Sequence, residues 1–453
     1  LFDERYKPAY YEDTDLAFAV REAGLKVYVQ PASQVTHFEG VSSGTDLSSG
    51  TKKYQVINQE KFLDKWQDAL EKQPKSGSDI ELARFQNKPK RVLIFDACTP
   101  TPDQDSGSLR MVNLMKIFQQ LGYQVSFIPE NMAHFEQYTT NLQHMGVECI
   151  FAPTFSSPVD YLSQFGQYFD VVLLSRYYVA APVMGMIRDY CPKAKLLFDT
   201  VDLHYLREQR MAEVAEDDKQ LTAAADTKVK ELGVARLCDS TLVVSPYEQT
   251  VLAEEAPELD VQILSNIHEV YGCLKSFDER RDLVFIGGYQ HTPNVDGILW
   301  FIEYIWPSIK SAIPEIQLHI VGSKAPQEVE KLGQLDGVIF HGFVEDIEPV
   351  MSDYRIAVAP LRFGAGVKGK VNMSMSYGQP VVGTAVAVEG MYTKHGADVM
   401  MSDDPSIFSQ HVIELYQDQA LWSRISQGGL ANVEQWFSFN AAKVQIQNII
   451  NTV

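Results

Sequence analysis

The sequence predicts an α/β protein with two doubly wound parallel sheets, preceded by a smaller, separate block. From Arg91 onward, short apolar runs alternate with amphipathic segments, as in right-handed βαβ units. The alternation starts again after about residue 270, and the residues before Arg91 lack it. We therefore expect two Rossmann-like units that face an interdomain cleft, with ligands at the carboxyl ends of the strands.

Composition and charge narrow the functional classes. The chain has 453 residues, of which 45% are hydrophobic and 22% charged, as is usual for a globular protein with large cores. A net charge of −20 argues against a nucleic-acid partner, which requires a basic surface. Five widely spaced cysteines predict reduced thiols in a cytoplasmic protein, and no apolar run is long enough to predict a membrane span. Because the chain begins with Leu, we expect it to be part of a longer protein.

The first block covers residues 1–73. Its pattern predicts a helix over 14–22, a strand over 26–31 and a second amphipathic helix over 54–72. Residues 74–90 are polar, contain Pro, Gly and Ser, and are predicted to form a linker.

The two sheet-forming units follow at 91–268 and 269–430. In the first, we predict strands at 91–97, 124–130, 147–152, 170–175, 195–200 and 240–245, and helices at 107–121, 133–145, 180–190 and 205–237. In the second, we predict strands at 282–288, 317–322, 338–343, 356–361, 380–385 and 398–402, and helices at 295–312, 325–333, 345–353, 369–377 and 405–417. Residues 431–453 are predicted to form a helical tail.

Two junctions in the first unit have the residue types of a binding site. The loop 99–110 leads into a helix, where Asp105, Ser106, Gly107 and Arg110 can bind an anion or sugar hydroxyls. The alternative is a plain helix cap with a glycine turn. Arg176 also follows a strand, although an isolated arginine there is usually a surface residue.

The junction 196–210 crowds charged residues around His204. A histidine at the carboxyl end of a strand can contact a ligand or transfer a proton, and Asp202 lies two residues before it. The alternative is a capping carboxylate on a solvated helix face.

The second unit contains the most specific pattern. Residues 359–391 combine an arginine, a glycine-rich loop with two lysines, a helix and a Glu-Gly pair, which suits a diphosphate because amides, a helix N-terminus and cations converge. Gly287 and Gly288 follow the first strand without forming a GxGxxG fingerprint, and they allow close approach of a ligand. His291 lies just beyond, where Asn294 and Asp296 are better explained as caps.

Together, "DSGSLR", "FIGGYQHTPNVDGILWF", "HIVG" and "GFVEDIEPVMSDYRIAVAPLRFGAGVKGKV…SMSYGQPVVGTAVAVEGM" resemble a GT-B-fold glycosyltransferase of family 4, over residues 91–453. The resemblance implies sugar transfer from a nucleotide-diphosphate sugar with retention of configuration and without an essential metal or other cofactor. It also implies a terminal helix that packs back on the first unit.

The resemblance implies a role for each matching position. The implied donor-binding residues are Gly287, Gly288, His291, Gly342, Phe343, Val344, Arg362, Gly366, Lys368 and Lys370. The implied acceptor-binding residues are Asp105, Ser106, Gly107, Arg110 and Arg176, and the implied catalytic contacts are His204, Asp202 and Glu389. The sequence departs from the family at Ala365 and Met373, where two glutamates are common and the second usually holds the ribose.

The opening block resembles a different family. "FDERYKPAYYEDTDLAFAVREAGLKVYVQPASQVTHFEG" is similar to the C-terminal part of a GT-A-fold, family 2 inverting glycosyltransferase. By that resemblance, Asp13 matches the general base, and His37 matches a ligand to Mg²⁺ or Mn²⁺ in an intact GT-A domain. Because the DxD-bearing half is missing, we expect no metal in this chain and no activity from this block.

The leading hypothesis is a bacterial glycosyltransferase of surface polysaccharide synthesis that acts on a glycan or lipid-linked acceptor. We expect it in the cytoplasm, with the inner face of the membrane as an alternative site. A nucleotide-sugar 2-epimerase and a non-catalytic nucleotide- or glycan-binding module are the competing hypotheses.

Overall fold

The computed structural model describes residues 2–28, 33–36, 46–75, 77, 80–84 and 90–451. Two compact units divide the chain, Leu1–Asn87 and Lys88–Val453. Among the described helices, none combines the length and apolar character needed to cross a bilayer.

The described part of the first unit is helical. Its helices are α1 (Glu12–Glu22), α2 (Lys53–Lys65), α3 (Gln67–Leu70) and α4 (Ile80–Arg84). Tyr6, Phe62 and Trp66 form its small core, where the buried Asp15 accepts hydrogen bonds from the Tyr6 hydroxyl at 3.0 Å and the Trp66 indole at 2.7 Å. Helix α4 lies in the segment predicted as a linker.

The strand predicted over 26–31 is not formed at residues 26–28, and residues 29–32 lie outside the described part of the chain. Val27 and Tyr28 are exposed. Among the described residues, no strand pairs with 26–28, so this segment lacks the backbone hydrogen bonds that stabilise a sheet.

The second unit contains two parallel sheets, as predicted. The first has the strand order β3-β2-β1-β4-β5-β6-β7, and the second has the order β10-β9-β8-β11-β12-β13. The strands are β1 (Lys90–Asp96), β2 (Tyr123–Pro129), β3 (Glu148–Cys149), β4 (Val171–Ser175), β5 (Lys195–Asp199), β6 (Ser240–Val243), β7 (Val261–Ile263), β8 (Arg281–Ile286), β9 (Leu318–Val321), β10 (Val338–Gly342), β11 (Tyr354–Ala359), β12 (Val381–Gly383) and β13 (Met400–Met401).

Helices connect the strands. Those of the first sheet are α5 (Ser106–Gln120), α6 (Glu136–His144), α7 (Pro158–Phe165), α8 (Tyr177–Tyr190), α9 (His204–Ala215), α10 (Asp218–Ala235) and α11 (Pro246–Glu255). Those of the second are α12 (Thr292–Tyr304), α13 (Trp306–Ala312), α14 (Gln327–Glu330), α15 (Glu348–Asp353), α16 (Gly369–Ser376) and α17 (Ala385–Val388). Three helices follow the last strand: α18 (Pro405–Gln417), α19 (Gln419–Trp436) and α20 (Phe439–Asn451).

The elements differ from the prediction where local chemistry interrupts or starts a helix. The single helix predicted over 205–237 is two helices, because Glu216 has φ 52° and Asp217 caps α10 through the amides of Lys219 and Gln220. Strand β7 and the helices α7, α11 and α17 were not predicted. Helices α7 and α11 each begin with a serine cap followed by proline, a pattern typical of helix starts.

The last helix, α20, belongs to the core of the first sheet. Ala442, Ile446 and Ile449 are buried against residues of β1, β2 and α5. The chain returns to the first sheet beside its outward path, where the His268 amide donates to the Phe437 carbonyl at 2.8 Å. The core of the first sheet is therefore built from residues that precede the second sheet in sequence and from residues that follow it.

Candidate functional site

Two lysines lie where the glycine-rich loop that follows β11 leads into α16. Residues 360–370 are called the lysine loop. Lys368 is the N-cap of α16, and its Nζ donates to the carbonyls of Ala365 at 3.1 Å and Gly366 at 2.6 Å. Lys370 donates from Nζ to Asn294 Oδ1 at 2.5 Å and lies 4.6 Å above the Phe285 ring. Both ammonium groups are thus held at a helix N-terminus, where an anion is favourable.

Burial favours the neutral, deprotonated form of both lysines. It lowers the pKa of Lys368 to about 8, although Glu389 and Glu248 act in the opposite direction. It lowers the pKa of Lys370 to about 7, and the neighbouring Lys368 charge adds to the decrease. A bound anion would favour the charged form of both side chains.

The predicted donor residue Arg362 is paired within the protein. Its guanidinium binds the Asp296 carboxylate through two hydrogen bonds, one of them Nε to Oδ2 at 2.8 Å. The Arg362 side chain is 43% exposed. A diphosphate at this position would compete with Asp296 for the guanidinium.

Of the two glycines after β8, only the first is closely packed. A Cβ at Gly287 would lie 2.8 Å from the side chain of Asn294, and one at Gly288 would lie 4.0 Å from the carbonyl of Gln104, which precedes α5. Asn294 Nδ2 donates to the Gly288 carbonyl at 2.8 Å. Asn294 therefore links the glycine turn to Lys370, a role that its interpretation as a cap missed.

His291 and the segment 342–344 border the same loops. His291 is the N-cap of α12, and burial, then the Arg207 charge, lowers its pKa. Gly342 ends β10 with φ 70°, and Phe343, which follows it, is 53% exposed. Val344 packs at the edge of the second sheet's core. Of these residues, Phe343 presents the most apolar surface to a ligand.

His204 begins α9 and is buried with two acidic neighbours. Its Nδ1 lies 3.0 Å from the Asp202 carbonyl oxygen, 3.4 Å from Glu231 Oε1 and 3.5 Å from Asp202 Oδ1. Burial lowers the pKa of His204, but Glu231 and Asp202 outweigh it and raise the pKa above its ordinary value. For Asp202, burial raises the pKa, whereas the charges of Arg207 and His204 bring it below its ordinary value.

The loops at the carboxyl ends of the two sheets meet directly. A Cβ at Gly366, where φ is 69°, would lie 3.1 Å from Asp202 Cβ, and one at Gly369 would overlap the side chain of Ser106. Arg210 of α9 donates to the Gly364 carbonyl at 2.7 Å. The structure thus brings His204, Asp202 and Ser106 from the first sheet close to the lysine loop of the second.

Glu389, predicted as a catalytic contact, pairs with Arg210. Arg210 Nη1 is 2.7 Å from Glu389 Oε2, and Nη2 is 3.1 Å from Oε1. Glu389 also contributes to the electrostatic environment of Lys368. It therefore lies beside the lysine loop, with its carboxylate already hydrogen-bonded.

The loop before α5 combines a cap with an arginine. Asp105 caps α5 by accepting from the Ser108 amide at 2.8 Å, as the alternative interpretation of this loop expected. A Cβ at Gly107 would lie 3.5 Å from Arg176 Nη2, and Arg176 is held by Asp96 at the end of β1. Ser106, Gly107 and Arg176 are therefore close together.

Arg110 has a different environment from the one expected of an acceptor-binding residue. It is 2% exposed, donates to Asp199 at 2.7 and 3.0 Å, and also binds the carbonyls of Leu264 and Ser265. These partners accept hydrogen bonds from the Arg110 guanidinium, so its presence here requires no ligand. The charge of Arg110, the fifth residue of α5, is offset by the Asp199 carboxylate at the end of β5.

Sequence reasoning missed Glu231, Glu248 and Asn266. Glu248 accepts from the amides of Leu203 and Val244, and burial raises its pKa to about 7. Asn266 donates to the Val367 carbonyl at 3.1 Å, within the lysine loop. The Ser-Pro-x-Glu start of α11 is a capping signal that could have identified Glu248, whereas Glu231 lies in mid-helix and carries no local signal.

In the first unit, Asp13 is exposed in the first turn of α1 and accepts from the Thr14 amide at 2.7 Å. His37 lies outside the described residues. Within the described ranges, no three His, Cys, Asp or Glu side chains are grouped in a way that could hold a metal ion.

Comparison with known proteins finds a family model that matches part of the chain. Residues 280–418 match the family model described as glycosyl transferases group 1. A curated protein of Klebsiella pneumoniae, the "uncharacterized 44.6 kDa protein in cps region", is 26% identical over 140 residues. That alignment covers 29% of this chain and 36% of the relative's length.

Solved structures share the architecture at low identity. Sucrose-phosphate synthase from Thermosynechococcus elongatus has a TM-score of 0.60 at 14% identity and aligns over 80% of this chain and 98% of its own. HepE from Anabaena, in complex with UDP-glucose, has a TM-score of 0.59 at 14% identity over 80% and 100%. TarM from S. aureus, solved with UDP, has a TM-score of 0.62 at 8% identity over 80% and 100%. The chain therefore carries the GT-B fold, and its residues 280–418 match glycosyl transferases group 1.

Proposed function

We propose that Lys88–Val453 is a glycosyltransferase that moves a sugar from a nucleotide-diphosphate sugar to an acceptor. The observation that carries the proposal is the pair of partly buried lysines, Lys368 and Lys370, at the N-terminus of α16. They lie within the segment that matches glycosyl transferases group 1, opposite His204 and Asp202 of the other sheet.

Sugar transfer releases a nucleoside diphosphate, so negative charge develops on the leaving oxygen. Lys368, Lys370 and the amides at the start of α16 can offset that charge, and in a water-poor site such groups contribute strongly to rate. Arg362 would join them after exchanging Asp296 for a phosphate. Gly287 and Gly288 would let the backbone approach the diphosphate.

The donor in this proposal is a UDP-sugar. The supporting observation is that HepE and TarM, which share the fold, were solved with UDP-glucose and UDP respectively. The base would contact Phe343, and the acceptor would bind near Ser106, Gly107 and Arg176. The relative from a cps region suggests an acceptor of surface polysaccharide synthesis, glycan or lipid-linked, at the cytoplasmic side of the membrane.

The finer features of the proposal come from the family resemblance. They are retention of configuration, independence from a metal, and an opening block that is part of a GT-A-like transferase with Asp13 as its former base. In this chain the opening block would be inactive on its own.

A non-catalytic nucleotide-binding module is the second candidate. Ala365 and Met373 stand where related transferases often have glutamates, and Met373 is partly buried against the core of the second sheet. A thioether cannot hydrogen-bond a ribose as a carboxylate does.

A donor panel separates these candidates. The purified chain is incubated with UDP-, GDP- and dTDP-sugars, and released nucleotide, transferred sugar and C2 inversion are measured. Release of UDP that is lost in Lys368→Ala supports a transferase, C2 inversion without release indicates an epimerase, and tight binding without turnover indicates a binding module. If no nucleotide binds, the proposed donor site is wrong.

A further inference from the structure

Glu231 is a buried carboxylate beside His204 that no sequence motif marks. It lies in α10, is 1% exposed, and contacts the first residues of α9. Its Oε1 accepts from the His204 amide at 3.3 Å and its Oε2 from the Tyr205 amide at 3.2 Å. The carboxylate therefore caps α9, whose N-cap residue Leu203 makes no side-chain hydrogen bond.

The same carboxylate also reaches the imidazole ring. Glu231 Oε1 lies 3.4 Å from His204 Nδ1, and the Asp202 carbonyl oxygen lies 3.0 Å from that nitrogen. A backbone carbonyl can only accept a hydrogen bond, so Nδ1 carries a proton. The rings of Tyr177 and Tyr178 flank the imidazole edge-on, with centroids at 5.5 and 5.7 Å.

These contacts leave Nε2 as the free end of the ring. No residue in the described part of the chain donates to Nε2 or accepts from it. With Nδ1 already protonated, a second proton makes the ring a cation, and the nearby carboxylates of Glu231 and Asp202 stabilise that cation while Arg207 opposes it. In that state Nε2–H is a charged donor.

We propose that Glu231 is a positioning residue that holds His204 as an imidazolium, so that Nε2–H donates a hydrogen bond to an oxygen of the bound sugar or of its leaving phosphate. The inference rests on the proposed transferase function. Glu231 itself does not touch the substrate. It fixes the ring through α9 and keeps Nδ1 protonated.

The test is Glu231→Gln, with Glu255→Gln as a matched control. Glutamine keeps an oxygen that can cap α9 but removes the charge beside the imidazole. Glu255 contacts Tyr205 of the same helix and pairs with Lys228 at 2.7 Å, and no hydrogen bond or ion pair joins it to His204. The first measurement is the NMR titration of His204, assigned with His204→Asn, in the full chain without ligand.

The expected result is that the His204 titration moves to lower pH in Glu231→Gln and stays in place in Glu255→Gln. With a donor and acceptor that turn over, kcat falls by on the order of 10²-fold with little change in KM, because a positioned proton donor acts on the reacting atoms. An unmoved titration in folded Glu231→Gln overturns the inference. If Glu231→Gln does not fold, Glu231→Asp, which keeps the charge farther from the ring, is titrated instead, and an unmoved midpoint there also overturns it.

This readout separates the two proposals. A shifted His204 titration in a protein that turns over no nucleotide sugar leaves the positioning role in place and contradicts the transferase function. Turnover of a nucleotide sugar with an unshifted His204 titration supports the transferase function and contradicts the positioning role.

Discussion

Arg210 of α9 and Glu389, which follows α17, form a bidentate ion pair that joins the helices of one sheet to the loops of the other. The two side chains are only 17% and 21% exposed. Arg210 also donates to the Gly364 carbonyl and lies 5.0 Å from the centre of the Tyr247 ring. Arg210 therefore connects α9 to the lysine loop through Gly364 and to the segment after α17 through Glu389.

We expect Arg210→Met to lower the free energy of unfolding by about 1.5–3 kcal/mol, because it leaves a partly buried carboxylate without its charged donor. Urea unfolding measures the change. The double variant with Glu389→Gln should be less destabilised than the sum of the two single variants. The control is Arg236→Met, which breaks an ion pair of the same 2.7 Å length whose side chains are about half exposed, and which should cost no more than about 1 kcal/mol. Additive effects of Arg210→Met and Glu389→Gln would contradict the coupling.

The close approach of α5 and α16 can be tested with one substitution that adds atoms at the contact and a second that removes them. Gly369→Ala should destabilise the chain by about 1–3 kcal/mol, because the added methyl overlaps the side chain of Ser106. Ser106→Gly in the same chain should restore most of the loss, since it removes the overlapping atoms. Thermal unfolding of the single and double variants measures both effects. If Ser106→Gly gives no rescue, the two helices do not meet as described.

Binding of UDP should take up protons at pH 8. The pKa values of Lys370 and Lys368 are about 7 and about 8, so at pH 8 Lys370 is mostly neutral and Lys368 about half neutral. A diphosphate stabilises their charged forms and raises both pKa values, so protons are bound with the ligand. The affinity for UDP should therefore fall as the pH rises from about 6 to 9, and below pH 6 the uptake should vanish.

Calorimetric titration in two pH 8 buffers of different ionisation enthalpy measures this uptake. Lys370→Met should reduce it, whereas Lys331→Met, which removes an exposed lysine from the second sheet's surface, should leave it unchanged. Equal apparent enthalpies in both buffers for the unmodified chain would show that these lysines do not meet the diphosphate.

Arg110 should matter for stability before it matters for binding. We expect Arg110→Met to lower the free energy of unfolding by about 3–5 kcal/mol, because it leaves the fully buried Asp199 charge unpaired. Arg110→Lys should rescue little, since one ammonium cannot replace the bidentate contact. Arg362→Met is the contrasting variant. Its ion pair with Asp296 is partly exposed, so the free energy of unfolding should change by less than about 1 kcal/mol while affinity for UDP falls.

The sheets could be predicted from sequence because buried parallel strands are continuous apolar runs. Every strand predicted for the two sheets is present, with β3 reduced to Glu148–Cys149, and only the short β7 was missed. The lysine loop could be located because its glycines and cations are neighbours in sequence. Whether Lys368 and Lys370 bind a donor is still a prediction.

The partners of charged residues could not be predicted. Arg110 meets Asp199 across 89 residues of sequence, and Arg210 meets Glu389 across 179. The neighbouring sequence does not distinguish an arginine that binds a ligand from one that forms an ion pair with a carboxylate distant in sequence. The sequence therefore favoured an acceptor contact for Arg110 where the fold supplies an internal ion pair.

The position of α20 has a consequence for how this protein is made. The first sheet emerges early in synthesis, yet Ile446 and Ile449, which cover part of its core, are translated only after the entire second sheet. Until then, apolar residues of α5 and β1 have no cover from α20. The core of the first sheet therefore stays partly exposed until α20 has been translated. Contacts between residues so far apart in sequence also slow folding. A chaperone that shields this face during translation would therefore increase the yield of folded protein.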